Sequence, residues 1–136
     1  MSEALPGPVT GHVPVLRLGD VLLVTIQGDL YDGTAQQLQQ DIAEAVASSR
    51  VSGVLLELSG VEIIDSFLAR VLAEIAAQAG LLAAQTVVAG MRPAVAITLV
   101  ELGLTLPGLR TALDIEAGLE LLRSAPAADG RRRESR

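Results

Sequence analysis

The chain has 136 residues, half of them apolar, and a net charge of −6, which is matter enough for one domain with its own core and not for two. Tyr31 and Phe67 are its aromatic residues, it holds no Trp, Cys or Lys, and all ten basic side chains are Arg. Those absences exclude disulfides, thiolate nucleophiles, Cys-ligated metals, Schiff bases and the lysine of a P-loop or kinase strand, while an acidic body is a poor match for nucleic acid or an anionic membrane.

Residues 1–12 hold Pro6, Gly7, Pro8 and Gly11 and read as a flexible leader, without the basic and apolar regions of a signal peptide. His12, the single histidine, lies there, so a zinc site or a triad would have one imidazole to work with. The apolar runs Val13–Leu18 and Val21–Gln27 around Gly19-Asp20 predict a tight antiparallel hairpin. Asp29–Thr34 is turn-like, and Asp32 or Thr34 can cap a helix over Ala35–Ser49 whose inner face is Leu38, Ile42, Ala45 and Val46. Gly53 opens a mostly buried strand, Val54–Leu58. Ser59–Asp65 is a loop with Ile63 and Ile64 tucked inside, and Ser66 starts a second helix. Phe67, Leu68, Val71, Leu72, Ile75 and Ala79 form its apolar face, and Gly80 is its expected stop.

Gln85–Ala89 is the next strand. The apolar window Val71–Met91 is interrupted by Glu74, Gln78, Gly80 and Gln85, so it is a helix and a strand rather than a membrane span. Gly90-Met91-Arg92-Pro93 turns into a third helix with Pro93 in its first turn and Gly103 at its end. Leu109–Ala112 is a short edge strand, and Asp114 caps a last helix through Leu122. Residues 124–136 lose the apolar period and read as a disordered tail; they carry four Arg against Asp129 and Glu134, a surplus of +2 that leaves −8 on the rest. Alternation of this kind predicts an α/β fold: a mixed, mainly parallel sheet of about five strands, opened by an antiparallel hairpin, with about four helices on right-handed crossovers. The domain is expected over residues 13–123, in a soluble cytoplasmic protein.

Chemistry concentrates at Asp65-Ser66-Phe67, after a buried strand and at a helix start. One reading makes Ser66 an ordinary N-cap. The other makes it a phosphate acceptor, since the head of a helix tolerates added negative charge and a partner would see the change. Catalysis by Ser66 is disfavoured: the elbow of serine hydrolases has the form G-x-S-x-G, and Ile64-Asp65-Ser66-Phe67-Leu68 lacks both glycines. The Gly90 turn offers backbone N–H groups to an anion, with a plain strand-to-helix turn as the simpler reading. Thr98 reads as a surface residue of the third helix. Arg131-Arg132-Arg133 reads as a solvated tail rather than a nucleic-acid contact. Glu57, Glu62 and Asp65 lie close in sequence but follow no calcium-loop pattern.

Three separated segments then carry a resemblance. Val13–Leu18 with Val21–Gln27 and Asp32-Gly33-Thr34-Ala35, the loop and helix Val61–Leu72, and Gly90–Gly103 resemble, in order and spacing, a STAS domain of the RsbS type; Thr111–Asp114 and Gly118-Leu119-Glu120 resemble its end. The resemblance implies a STAS fold and a non-catalytic scaffold of the stressosome, a large cytoplasmic signalling assembly of bacteria. It implies self-association in that assembly with sensory RsbR-type STAS paralogues, a switch serine kinase held until the STAS serine is phosphorylated, a phosphatase that resets it, and no cofactor or metal. Ser66 is then the phosphoacceptor, Thr98 a secondary one, and Asp65, Ser66, Phe67 and Arg70 the docking surface. An antagonist of an anti-sigma factor is the alternative within STAS proteins; those typically carry a second Ser and a Gly after the acceptor, where this chain has Phe67-Leu68. A small-anion or nucleotide-binding module using the Gly90 turn is the alternative outside that class.

Overall fold

The computed structural model describes residues 13–28, 30–103 and 109–123. The leader, His12 and the tail, with its arginines, lie outside the described residues. The element order is β1 (Val15–Leu18), β2 (Val21–Gln27), α1 (Asp32–Ser48), β3 (Gly53–Gly60), α2 (Ser66–Leu81), β4 (Gln85–Ala89), α3 (Pro93–Glu101), β5 (Leu109–Ala112) and α4, residues 115–123. This is the alternation expected from the sequence.

The five strands form one sheet in the order β1-β2-β3-β4-β5. β1 and β2 are antiparallel with Leu18 opposite Val21, so Gly19-Asp20 is a two-residue connection. Gly19 takes φ +62°, which the first position of such a turn demands and Gly supplies without steric cost. The remaining pairs, β2–β3, β3–β4 and β4–β5, are parallel.

Pleating splits the apolar residues of the central strands between two cores. Val54, Leu56 and Leu58 of β3 join α1, α2 and α3 in the larger cluster. Leu55, with Val21, Val87 and Ala89, packs on the opposite face against Leu122, Ile115 and Leu119 of α4. Strands laid down in sequential order with same-handed crossovers put their linking helices on one face. The second face is left to α4, held by Asp114, whose Oδ1 accepts the Ala117 N–H at 2.9 Å.

Several local expectations shift. α1 begins at Asp32, three residues early, with Tyr31 at its N-cap and no side-chain cap from Asp32 or Thr34. The turn-like composition of Asp32-Gly33-Thr34 hid a first helical turn. Gly80 lies inside α2, and the left-handed C-terminal position falls to Ala83, φ +68°. The Ala84 N–H donates to the Ala79 carbonyl at 2.8 Å and the Ala83 N–H to the Gly80 carbonyl at 3.1 Å, the paired bonds of a Schellman close. Ala83→Gly should therefore stabilise the fold by about 1 kcal/mol, because it relieves the Cβ penalty of that conformation; chemical denaturation reads the gain, and a loss would mean the strain is absent. In the β3–α2 loop, Ile64 is buried as expected, but Ile63 is 85% exposed. In that short extended connection, neighbouring side chains point to opposite sides, and one of them has no core to enter.

Candidate functional site

The C-terminal ends of the parallel strands carry the connections into α1, α2 and α3, the usual location of sites in open α/β sheets. The β3–α2 connection delivers Ser66. Asp65, in extended backbone (φ −117°, ψ 178°), is the N-cap of α2, and its Oδ1 accepts the Leu68 N–H at 2.9 Å. The cap is Asp65 and not Ser66, which occupies the first helical position. Both residue types cap well, and the sequence places them side by side. The backbone decides: the extended residue aims its side chain at the free N–H groups, which leaves the next one outside.

Ser66 is exposed, and its Oγ makes no hydrogen bond to the described residues. Phe67 is half-buried, packed on the larger core, so it anchors the helix head. Arg70, one turn on, is exposed. On a cavity shared with Asp65, the residue before Ser66, stand two large side chains that sequence reasoning did not assign to the site: Ile63, 85% exposed, and Tyr31, 70% exposed. The cavity is shallow, about 370 Å³, and Gly28, Leu30 and Leu68 line it too. Tyr31 comes from the β2–α1 connection and Ile63 from the β3–α2 connection; a large side chain next to an acidic residue in a loop, Asp32 for Tyr31 and Glu62 for Ile63, was the available signal.

The other candidates sit apart from this constellation. Thr98 is on α3, half-buried, with its Oγ1 donating to the Ala94 carbonyl at 3.0 Å. At the Gly90 turn, φ is +74° and a Cβ would lie 2.5 Å from Glu57 Oε2; this close approach of a carboxylate places like charge where a small anion would bind. Glu57 Oε1 in turn accepts from Ser59 Oγ at 3.0 Å, and Arg92 Nε donates to the Ser59 carbonyl at 2.9 Å. Among the described residues no three His, Cys, Asp or Glu side chains are placed to hold a metal ion, and no helix is long and apolar enough to cross a membrane.

Ser66 and Asp65 therefore divide the roles. Asp65→Ala should cost about 1 kcal/mol of stability through loss of the cap, whereas Ser66→Ala should cost close to nothing. Denaturant unfolding of the two variants checks this, and an equal loss would return the capping role to Ser66.

The family model for the STAS domain matches residues 12–114. The chain belongs to the STAS domain family. Its sheet, with the antiparallel opening and parallel remainder, is the STAS fold, as the sequence resemblance implied. A serine-to-glutamate variant of RsbS from Moorella thermoacetica is similar over 82% of this chain and 94% of its own, at 38% identity and TM-score 0.73. A chain in the architecture of the stressosome, a signal integration and transduction hub, is similar at 38% identity and TM-score 0.72, over 81% of this STAS chain and 96% of that one. The RsbT co-antagonist protein RsbRD of Bacillus subtilis is 25% identical over 107 residues, 78% of this chain and 38% of its own. The chain thus spans well under half the length of that curated relative. Within the STAS family its resemblance runs to RsbS and to stressosome proteins.

Proposed function

We propose that this STAS protein is a non-catalytic scaffold of a stressosome-type assembly, shared with RsbR-type paralogues, and that Ser66 is its switch. The carrying observation is an exposed hydroxyl with no partner among the described residues, at the head of a helix capped by Asp65, whose carboxylate shares a cavity with the exposed side chains of Ile63 and Tyr31. Aromatic and aliphatic anchors flanked by charge are what a protein contact uses. Unmodified, the surface of Asp65, Ser66, Phe67 and Arg70, with Ile63 and Tyr31, holds a serine kinase. The kinase then transfers the γ-phosphoryl group of ATP to Ser66 Oγ, whose proton is lost as ADP departs, and the contact weakens. A phosphatase restores the hydroxyl by adding water and releasing inorganic phosphate.

The helix tolerates the modification because its first turn favours negative charge and because the cap is Asp65, so no structural hydrogen bond is surrendered. Thr98 is a secondary acceptor, since its hydroxyl is already committed to Ala94. Co-purification from stressed cells with phosphosite mapping tests the reading. A large assembly containing a serine kinase and RsbR-type paralogues, with phosphate on Ser66, supports it. Position 66 always unmodified while the stress pathway fires overturns it, and a small complex with an anti-sigma kinase points to the antagonist class.

A further inference from the structure

We propose that Arg70 is the cation that receives the phosphoryl group of Ser66, turning it toward the groove between α1 and α2. The inference rests on the reading of Ser66 as the modified residue and deepens it. Ser66 and Arg70 are four residues apart on α2, so they share one helix face. Helical side chains lean toward the N-terminus, and a long one at position 70 runs back toward position 66. Arg70 is the one basic residue of α2, and α1 has none, so no other cation on these two helices competes for the phosphate.

Arg70 is also uncommitted. It is exposed and makes no hydrogen bond or ion pair to the described residues. The obvious carboxylate for it, Glu74, lies one turn further on, but Glu74 Oε1 accepts instead from Gln39 Nε2 of α1 at 2.8 Å. Arg70, Glu74 and Gln39 border the α1–α2 groove of about 340 Å³ with Asp32, Gln36 and Phe67. A guanidinium binds phosphate by two parallel hydrogen bonds. Acidic neighbours, Asp65, Glu62, Asp32 and Glu74, oppose the phosphate, which makes the single cation decisive. Arg70 thus changes occupation with the switch: free to contact a partner while Ser66 bears a hydroxyl, and drawn onto the phosphate afterwards.

The test is ³¹P NMR titration of the full chain carrying phosphoserine at position 66, alongside Arg70→Gln and Arg70→Lys in the same phosphorylated background. Phosphoserine ordinarily loses its second proton near pH 6. The unaltered chain is expected to lose it about half a unit lower than Arg70→Gln, with Arg70→Lys between them. Identical titrations overturn the proposal. Kinase affinity of the hydroxyl and phosphorylated forms, measured in parallel, separates the two ideas. If phosphate releases the kinase but the titrations coincide, the switch stands and the Arg70 contact falls. If the titrations differ but the kinase ignores the phosphate, the contact stands and the switch falls.

Discussion

Ser66→Asp is expected to weaken binding of the proposed serine kinase about a hundredfold, a loss of about 3 kcal/mol, while Ser66→Ala binds as the unaltered protein does. The origin of the loss is not simple repulsion. Asp32, Glu62 and Asp65 are already exposed near Ser66, against Arg70, so a partner that fits this surface presents basic groups. Added negative charge alone would tighten such a contact. What a charge at position 66 does change is the cost of drying the site. Ile63 and Tyr31 are exposed on the cavity that Asp65 also lines, so a partner that covers this surface dries position 66, and a carboxylate there loses hydration that a pairing with the exposed Arg70 only partly returns. A charge left poorly paired inside an interface costs about 2–5 kcal/mol, the size needed. The two explanations separate on salt dependence, because surface charge effects are screened and desolvation is not. Calorimetric titration of both variants at low and high salt should show the loss for Ser66→Asp persisting at high salt. Equal affinity of both variants at either salt concentration would end the proposal.

Much of this arrangement was legible in the sequence because its signals extend over several residues each. The apolar faces of α1 and α2 repeat at the helical spacing, the β3 and β4 segments are short continuous apolar runs of strand length, and their alternation implied a parallel sheet. What failed were decisions made by a single residue. Asp32, Gly33 and Thr34 have the composition of a turn, yet α1 runs back across them, with the Ala35 N–H donating to the Tyr31 carbonyl at 2.8 Å. Asp65 and Ser66 are equally good caps in sequence; the extended backbone at Asp65 chooses between them. Ile63 and Ile64 are the same residue type, and the direction of the chain buries one and exposes the other. These decisions compose the site. The proposed acceptor, Ser66, was visible as a residue type at a helix start, whereas its unbonded hydroxyl and the exposure of Ile63 and Tyr31 required tertiary structure. Tyr31 became the N-cap of α1 because that helix begins three residues early.

The last helix carries the other large expected effect. Residues 115–123 lie beyond the segment matched by the STAS family model, 12–114, yet they cover a whole face of the sheet. Leu122 is 2% exposed, and the buried residues beneath this helix are Val21, Leu55, Val87 and Ala89. Its approach is close: a Cβ on Gly53 would lie 2.8 Å from Leu122 Cδ2, and one on Gly118 would lie 2.6 Å from Leu55 Cδ1. Small residues on both surfaces let Leu122 and Leu55 fill the gap between sheet and helix. Leu122→Ala should therefore cost about 3 kcal/mol, the transfer and cavity terms of a fully buried leucine, although it is the penultimate described residue. Exposed Arg123 is the neighbouring control, and Arg123→Ala should stay within about 0.5 kcal/mol of the unaltered chain. A chain ending at residue 114 should fail to fold cooperatively, because the second face would meet water. Urea unfolding decides it. A Leu122→Ala variant as stable as its Arg123 control would show the second face to be sealed by something other than α4, since about 3 kcal/mol is a large share of the 5–15 kcal/mol that holds a domain together.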